Sequence, residues 1–172
     1  CTYTNSDIEL KNLAVKNNEQ SIFAIPSCDT FVSKSGLWSN LVKYYSRNFI
    51  RNYLPYTYVL YNSSDIKNLQ DNFDKNKLYI LKKNIQKKQG IKLTNKLEDI
   101  LNAKYDGYVV AQEYVKNTMT ILGRKINLRI YLLIKCQNNI QHWYIYKNGK
   151  CLYSSKKYNS GNISDLEQYI TS

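Results

Sequence analysis

At 172 residues the chain has room for one medium domain or two small ones sharing a cleft. With 43% hydrophobic and 22% charged residues, it is expected to bury a core rather than stay disordered, and no run approaches the roughly 18 apolar residues of a membrane span. The formal charge of +12 selects anionic partners such as nucleotides, nucleic acid, acidic peptides or a membrane surface. Part of that charge has a non-chemical source, since Lys, Asn, Ile and Tyr share AT-rich codons.

Residues 1–20 are polar and mixed, with no signal peptide read in them, and more chain is expected before them because the sequence opens at Cys1 rather than a methionine. Ser21–Ile25 reads as a short strand stopped by Pro26. Leu37, Trp38, Leu41, Val42, Tyr45 and Phe49 then recur at helical spacing. That helix should stop before Leu54-Pro55, since a residue preceding proline is pushed out of helical backbone. Tyr56–Tyr61 is β-branched and aromatic, hence a strand, and Asn62-Ser63-Ser64-Asp65 offers caps for a helix over 66–73. Leu78–Leu81 forms the next strand. It runs into Lys82, then a loop with Lys87 and Lys88, then Gly90. Ile91–Leu93 resumes extended structure, a helix follows over 96–102, and Tyr108–Val115 is a further strand.

The run Leu122–Ile134 divides at period two. Ile126, Leu128, Ile130, Leu132 and Ile134 share one face, which predicts a strand lying on a core. Lys125, Asn127 and Arg129 share the other, with no acid among them. This face is either in water or forms one wall of an anion site. Trp143–Tyr146 and Cys151–Tyr153 flank Asn148-Gly149, a strong signal for a hairpin between them. The element order predicts an α+β fold, with a small βαβ-type unit followed by an antiparallel sheet.

Cys1, Cys28, Cys136 and Cys151 are far apart, with no pair at zinc-ligand spacing and only His142 to assist them. They predict a reducing, intracellular and cytoplasmic setting, with Cys136 a buried thiol ending an apolar strand. His142, with no nucleophile motif near it, reads as an ordinary strand histidine.

A lysine closing an apolar strand, followed by a basic loop with one glycine, is a plausible phosphate grip, although it is not the Walker arrangement. Alone the loop reads more readily as a solvated lysine-rich turn. Taken in order, Tyr79-Ile80-Leu81-Lys82, the loop to Gly90, Val109-Val110-Ala111-Gln112-Glu113-Tyr114-Val115 and Arg124-Lys125-Ile126-Asn127-Leu128-Arg129 resemble the tubulin–tyrosine ligase-like family of ATP-grasp ligases. The resemblance extends from about Lys34 to Ser172. It includes Leu54-Pro55-Tyr56-Thr57-Tyr58, Tyr144-Ile145-Tyr146-Lys147-Asn148-Gly149 and Tyr169-Ile170-Thr171-Ser172.

The resemblance implies an ATP-grasp-like α+β fold. An N-terminal segment would cover 1–55, a central subdomain 56–110 and the start of an antiparallel-sheet C-terminal subdomain 111–172. It also implies ATP-dependent joining of an amino acid to a protein or peptide carboxylate through an acyl-phosphate, with Mg²⁺ bridging the phosphates. Lys82 and Gly90 would hold nucleotide phosphates, Gln112, Glu113, Tyr114 and Val115 would form the hinge under adenine, and Lys125 and Asn127 would lie near the nucleotide. Arg129 would act catalytically on the transferred phosphate. The family's magnesium carboxylates are expected beyond Ser172. Three positions depart from its pattern: Lys83 stands where proline is common, Asn127 replaces an aspartate, and Leu152 replaces an arginine. Two other readings stay open. One is a basic nucleic-acid-binding module, supported by charge interleaved with seventeen tyrosines, most of them assigned to core packing. The other is a degenerate relative that ligates nothing.

Overall fold

The computed structural model describes residues 17, 19–20, 29–85, 90–138, 140–159 and 165–171. The predicted strand at Ser21–Ile25, the loop lysines Lys87 and Lys88, and Cys1 and Cys28 lie outside them. Three helices come first, α1 (Asp29–Val32), α2 (Lys34–Tyr44) and α3 (Arg47–Ile50). Ser33 caps α2 by accepting from the Gly36 amide at 3.1 Å, and Ser46 caps α3 by accepting from Phe49 at 3.2 Å. That second cap splits the single helix predicted here. Tyr45 turns extended, and Ser46 starts a new helix whose axis is free to differ.

Then follow β1 (Thr57–Val59), α4 (Ser63–Asn72), β2 (Tyr79–Lys83), β3 (Ile91–Thr94), α5 (Leu97–Asn102), a short 3₁₀ turn (Ala103–Asp106) and β4 (Tyr108–Glu113). The four strands form one sheet in the order β1-β4-β2-β3, with every neighbouring pair antiparallel. β1 and β2 are therefore parallel to each other, as a βαβ unit requires, but β4 lies between them. β4 also runs unbroken across the 110/111 line.

Strand alternation divides the core into two layers. Tyr58, Tyr79, Leu81 and Ala111 face α4 and α5, where Leu69 and Ile100 complete a buried cluster. Val59 and Val110 face the other way, onto Trp38 of α2 and Ile50 of α3. Each fully buried Leu or Ile contributes roughly 1.5–3 kcal/mol.

The remainder is β5 (Thr120–Ile121), β6 (Arg124–Arg129), β7 (Leu132–Gln137), β8 (Ile140–Ile145) and β9 (Lys150–Tyr153). Here four sequence expectations fail. The single strand predicted over Leu122–Ile134 is two, broken at Ile130-Tyr131. Its apolar face does not lie on a core: Leu128 and Ile130 are 62% and 64% exposed, and neither buried cluster draws a member from β5–β9. Period two tells which residues share a face, not whether another layer covers it.

The Asn148-Gly149 turn closes no hairpin either. β8 pairs with β7 over six residue pairs, and β9 returns to pair with β6. A Cβ on Gly149 would stand 2.7 Å from the Arg129 carbonyl oxygen, so glycine is needed where the chain passes the end of β6. Cys136, expected to be buried, is exposed on β7, as is Cys151 on β9. Of the seventeen tyrosines, most of them expected in core packing, nine are exposed: 44, 45, 53, 61, 105, 131, 144, 146 and 153. No helix among the described residues is long and apolar enough to cross a membrane.

Candidate nucleotide-binding site

Lys82 lies near the end of β2, where its register partner on β4 is Val110 and the neighbouring pair is Ile80–Gln112. Lys82 and Gln112 consequently project from the same face. The Lys82 ammonium donates to Gln112 Oε1 at 2.6 Å, and Gln112 Nε2 donates to Thr57 Oγ1 at 2.8 Å. Thr57 in turn donates to the Pro55 carbonyl at 2.9 Å. This relay fixes which end of the Gln112 amide meets the lysine.

Two further lysines approach from other elements. Lys34, at the first position of α2, donates to the Ile85 carbonyl just after β2 at 3.3 Å. Lys125 of β6 is set by Ser154, a buried serine that accepts from the Lys125 amide at 3.1 Å while its own amide donates to the Lys125 carbonyl at 2.8 Å. The Lys125 ammonium lies 4.9 Å from the Tyr114 ring centre and donates to the Tyr114 hydroxyl at 3.2 Å. Burial, then the like charges of Lys34 and Lys125, push the Lys82 pKa down from 10.5 to about 8. Burial lowers that of Lys125 too.

Three cations brought near one another against their own repulsion, Lys82 and Lys125 half-buried and Lys34 exposed, suit a polyanion. Lys34 is the residue that sequence reasoning left out of the site. Nothing in its local sequence signals a neighbour 48 positions away.

The hinge segment is split between the two faces. Glu113 is one residue out of phase with Gln112, so its carboxylate turns to the opposite side and pairs with Lys77 at 2.8 Å. Its amide donates to Tyr56 and that of Tyr114 to Leu78, both at 2.8 Å. The amide of Val115 donates to no protein group among the described residues. Tyr114 packs edge-on against Tyr169, ring centres 5.4 Å apart, and Tyr158 packs likewise on Tyr169 at 5.5 Å. These rings tie the hinge to the strand that carries Lys125.

Gly90 has φ +66°, and its carbonyl accepts from the Lys83 amide at 2.9 Å, closing the loop after β2. A Cβ there would meet the Lys83 side chain at 2.7 Å. Asn127 and Arg129 follow Lys125 on the same face of β6. Both are exposed, and neither bonds to the lysine cluster among the described residues. Three hollows surround Glu113, and none is lined by Lys82. Convergence of charge marks this site.

An antiparallel sheet packed on both faces by helices, followed by further antiparallel strands, makes an α+β fold, ATP-grasp-like in keeping with the family its sequence matches. The chain belongs to the tubulin-tyrosine ligase family, whose model matches residues 12–172. Over 62 residues it is 34% identical to "Probable tubulin polyglutamylase TTLL9" of Mus musculus and of Rattus norvegicus, and 32% identical to the same protein of Bos taurus. That stretch is 36% of this chain and 13% of each relative, so the match spans a small part of the relatives' length.

Proposed function

We propose that this chain forms the nucleotide-holding part of an ATP-dependent ligase that joins an amino acid to a protein carboxylate. The observation that carries the reading is the meeting of Lys34, Lys82 and Lys125, which arrive from α2, β2 and β6. Lys82 and Lys125 would hold phosphate oxygens, Lys34 and Gly90 would hold the loop over them, and Gln112–Val115 would carry adenine. In that last group Gln112 acts through its side chain and Val115 through its free amide, while Glu113 contributes backbone alone. Arg129 and Asn127 are assigned to the outer end of the phosphates on the strength of their shared face with Lys125. ATP, as a substrate, supplies the phosphoryl group that activates the carboxylate. Fixed cations aimed at that group lower the cost of its developing charge. Among the described residues no three His, Cys, Asp or Glu side chains are grouped so as to hold a metal ion. The acceptor is a protein or peptide in the manner of the tubulin polyglutamylases.

Calorimetric titration with Mg-ATP tests the site. Removing one charged donor to a phosphate typically costs about 1.5–3 kcal/mol, so Lys82→Ala and Lys125→Ala should each weaken binding by about 10–100-fold. Absence of saturable binding, or parental affinity in both variants, would sink the assignment.

The exposed tyrosines favour one other reading, a surface on which single-stranded nucleic acid stacks. Tyr45, Phe49 and Tyr53 form an exposed ladder with ring centres 5.3 and 5.4 Å apart, beside Lys43 and Arg51. Binding there should weaken steeply as salt rises and should be lost in Tyr45→Ala/Tyr53→Ala. Shallow salt dependence with the double variant unaffected removes this reading.

A further inference from the structure

A hollow of about 490 Å³ lies among the start of α3, the edge strand β1, α4 and the end of β4. It lies at the β1 edge of the sheet, where α3 of one layer meets α4 of the other, and no lysine of the cluster lines it. Tyr58 and Glu113, which line it, are out of phase with Thr57 and Gln112 on their strands. Its size is that of a small-ligand site.

Three cations line it, Arg47, Arg51 and Lys77. Arg47 is neutralised by the buried carboxylate of Asp65, and Lys77 donates to Glu113 at 2.8 Å. Arg51 is held only loosely. Its guanidinium stands 3.8 Å from Glu113, beyond hydrogen-bond reach, and its side chain is 56% exposed. Two more donors lack a protein acceptor among the described residues. Tyr58 is only 2% exposed, and its hydroxyl, on a ring that borders the hollow, makes no hydrogen bond. Nη1 of Arg47 is buried and equally without an acceptor. Burial also holds the Tyr58 hydroxyl far above its usual pKa, so it remains a donor at any physiological pH.

Against one carboxylate, Glu113, and the neutral side chains of Ser46, Asn48, Asn68 and Asn72, the hollow gathers three cations, with Arg51 only loosely held and Arg47 Nη1 unpaired among the described residues; the guanidinium fork of Arg51 matches a planar pair of oxygens. We propose that the hollow is a second anion site, which takes a small ligand carrying a carboxylate or a phosphate group. The proposal stands independently of ATP binding at the lysine cluster: the two sites share only Glu113, whose backbone is assigned to the nucleotide while its side chain borders the hollow.

The full chain, titrated at constant ionic strength with inorganic phosphate and separately with succinate, gives the test, with backbone amide shifts as the readout. Saturable shifts are expected at Arg47, Arg51 and Tyr58 with at least one probe, and the tighter probe identifies the head group. Loss of a charge-assisted donor should weaken that binding by about tenfold or more in Arg51→Gln and in Tyr58→Phe. Lys82→Met should leave it unchanged. Overturning results are saturation by neither probe, parental affinity in both Arg51→Gln and Tyr58→Phe, or binding lost only in Lys82→Met, which would return the anion to the lysine cluster.

Discussion

Lys82→Met should make the protein harder to unfold while removing its hold on ATP. In the folded chain the ammonium is buried against Lys34 and Lys125, which brings its pKa to about 8 from the ordinary 10.5. The charged form is therefore penalised by folding, and the penalty is complete at every pH below about 8. At pH 7 a shift of this size corresponds to about 3 kcal/mol. Methionine fills similar volume without the charge, and it forfeits the bond to Gln112 Oε1, worth about 1 kcal/mol. The net expectation is a variant about 2 kcal/mol more stable at pH 7, read from urea midpoints at unchanged slope. The sign is specific. Between pH 8 and 10.5 the unfolded chain binds more protons at this position than the folded one, so the parent gains stability as pH rises and the difference closes. A polyphosphate beside Lys82 should reverse the shift. ATP binding at pH 8 should then take up a fraction of a proton, seen as a dependence of binding heat on the buffer's ionisation enthalpy. A variant that is less stable, or that still binds ATP, would mean that Lys82 is a packing residue.

The lysine itself was visible in the sequence because it ends an apolar strand ahead of a glycine loop, and the period-two run after it placed Lys125 on a polar face. β1, α4, β2 and β4 were visible for a similar reason: each is specified by residues within ten positions of one another. What escaped is non-local. Asn148-Gly149 announces a turn, but which strands it joins depends on β7 having already taken β8, six pairs that close locally about Asn138 at φ +52°. Lys34 needed α2 packed on the sheet before its proximity to Lys82 existed. The direction of Glu113 was readable, since Gln112 and Glu113 cannot both face the lysine in one strand. The family pattern treated them as one hinge, and the alternation is what divides them. The exposed apolar residues of β6 are the opposite case, a pattern that is present with no layer over it.

Asp65→Ala should be the most damaging single change in the central sheet. Asp65 is 3% exposed and sits in the first turn of α4, where its own amide donates to Asn62 at 3.1 Å. One carboxylate oxygen pairs with Arg47 of α3, and the other accepts from the Val59 amide of β1 at 2.8 Å. Three elements thus meet on one side chain. Alanine leaves Arg47 charged and largely buried against the Trp38 ring, 5.8 Å away, with Nη1 already lacking an acceptor. Breaking a buried pair by removing one partner typically costs about 3–5 kcal/mol, and the stranded Val59 amide adds to it. Asp65→Asn keeps an acceptor for Val59 and should lose less. Converting Arg47 to methionine in the Asp65→Ala background should recover the part owed to the unpaired charge, while the part owed to Val59 persists. The loss matters for function through β1, because Thr57, two residues before Val59, orients Gln112 toward Lys82. At temperatures where Asp65→Ala remains folded, its ATP affinity should fall only modestly, as expected of a residue that holds the relay in place from the far side of the sheet. A change below about 1 kcal/mol in unfolding free energy would class the Arg47–Asp65 pair with exposed ion pairs. It would also leave α3 held to β1 by the Trp38 and Ile50 layer, and α4 held to β1 by the Leu69 and Tyr58 cluster.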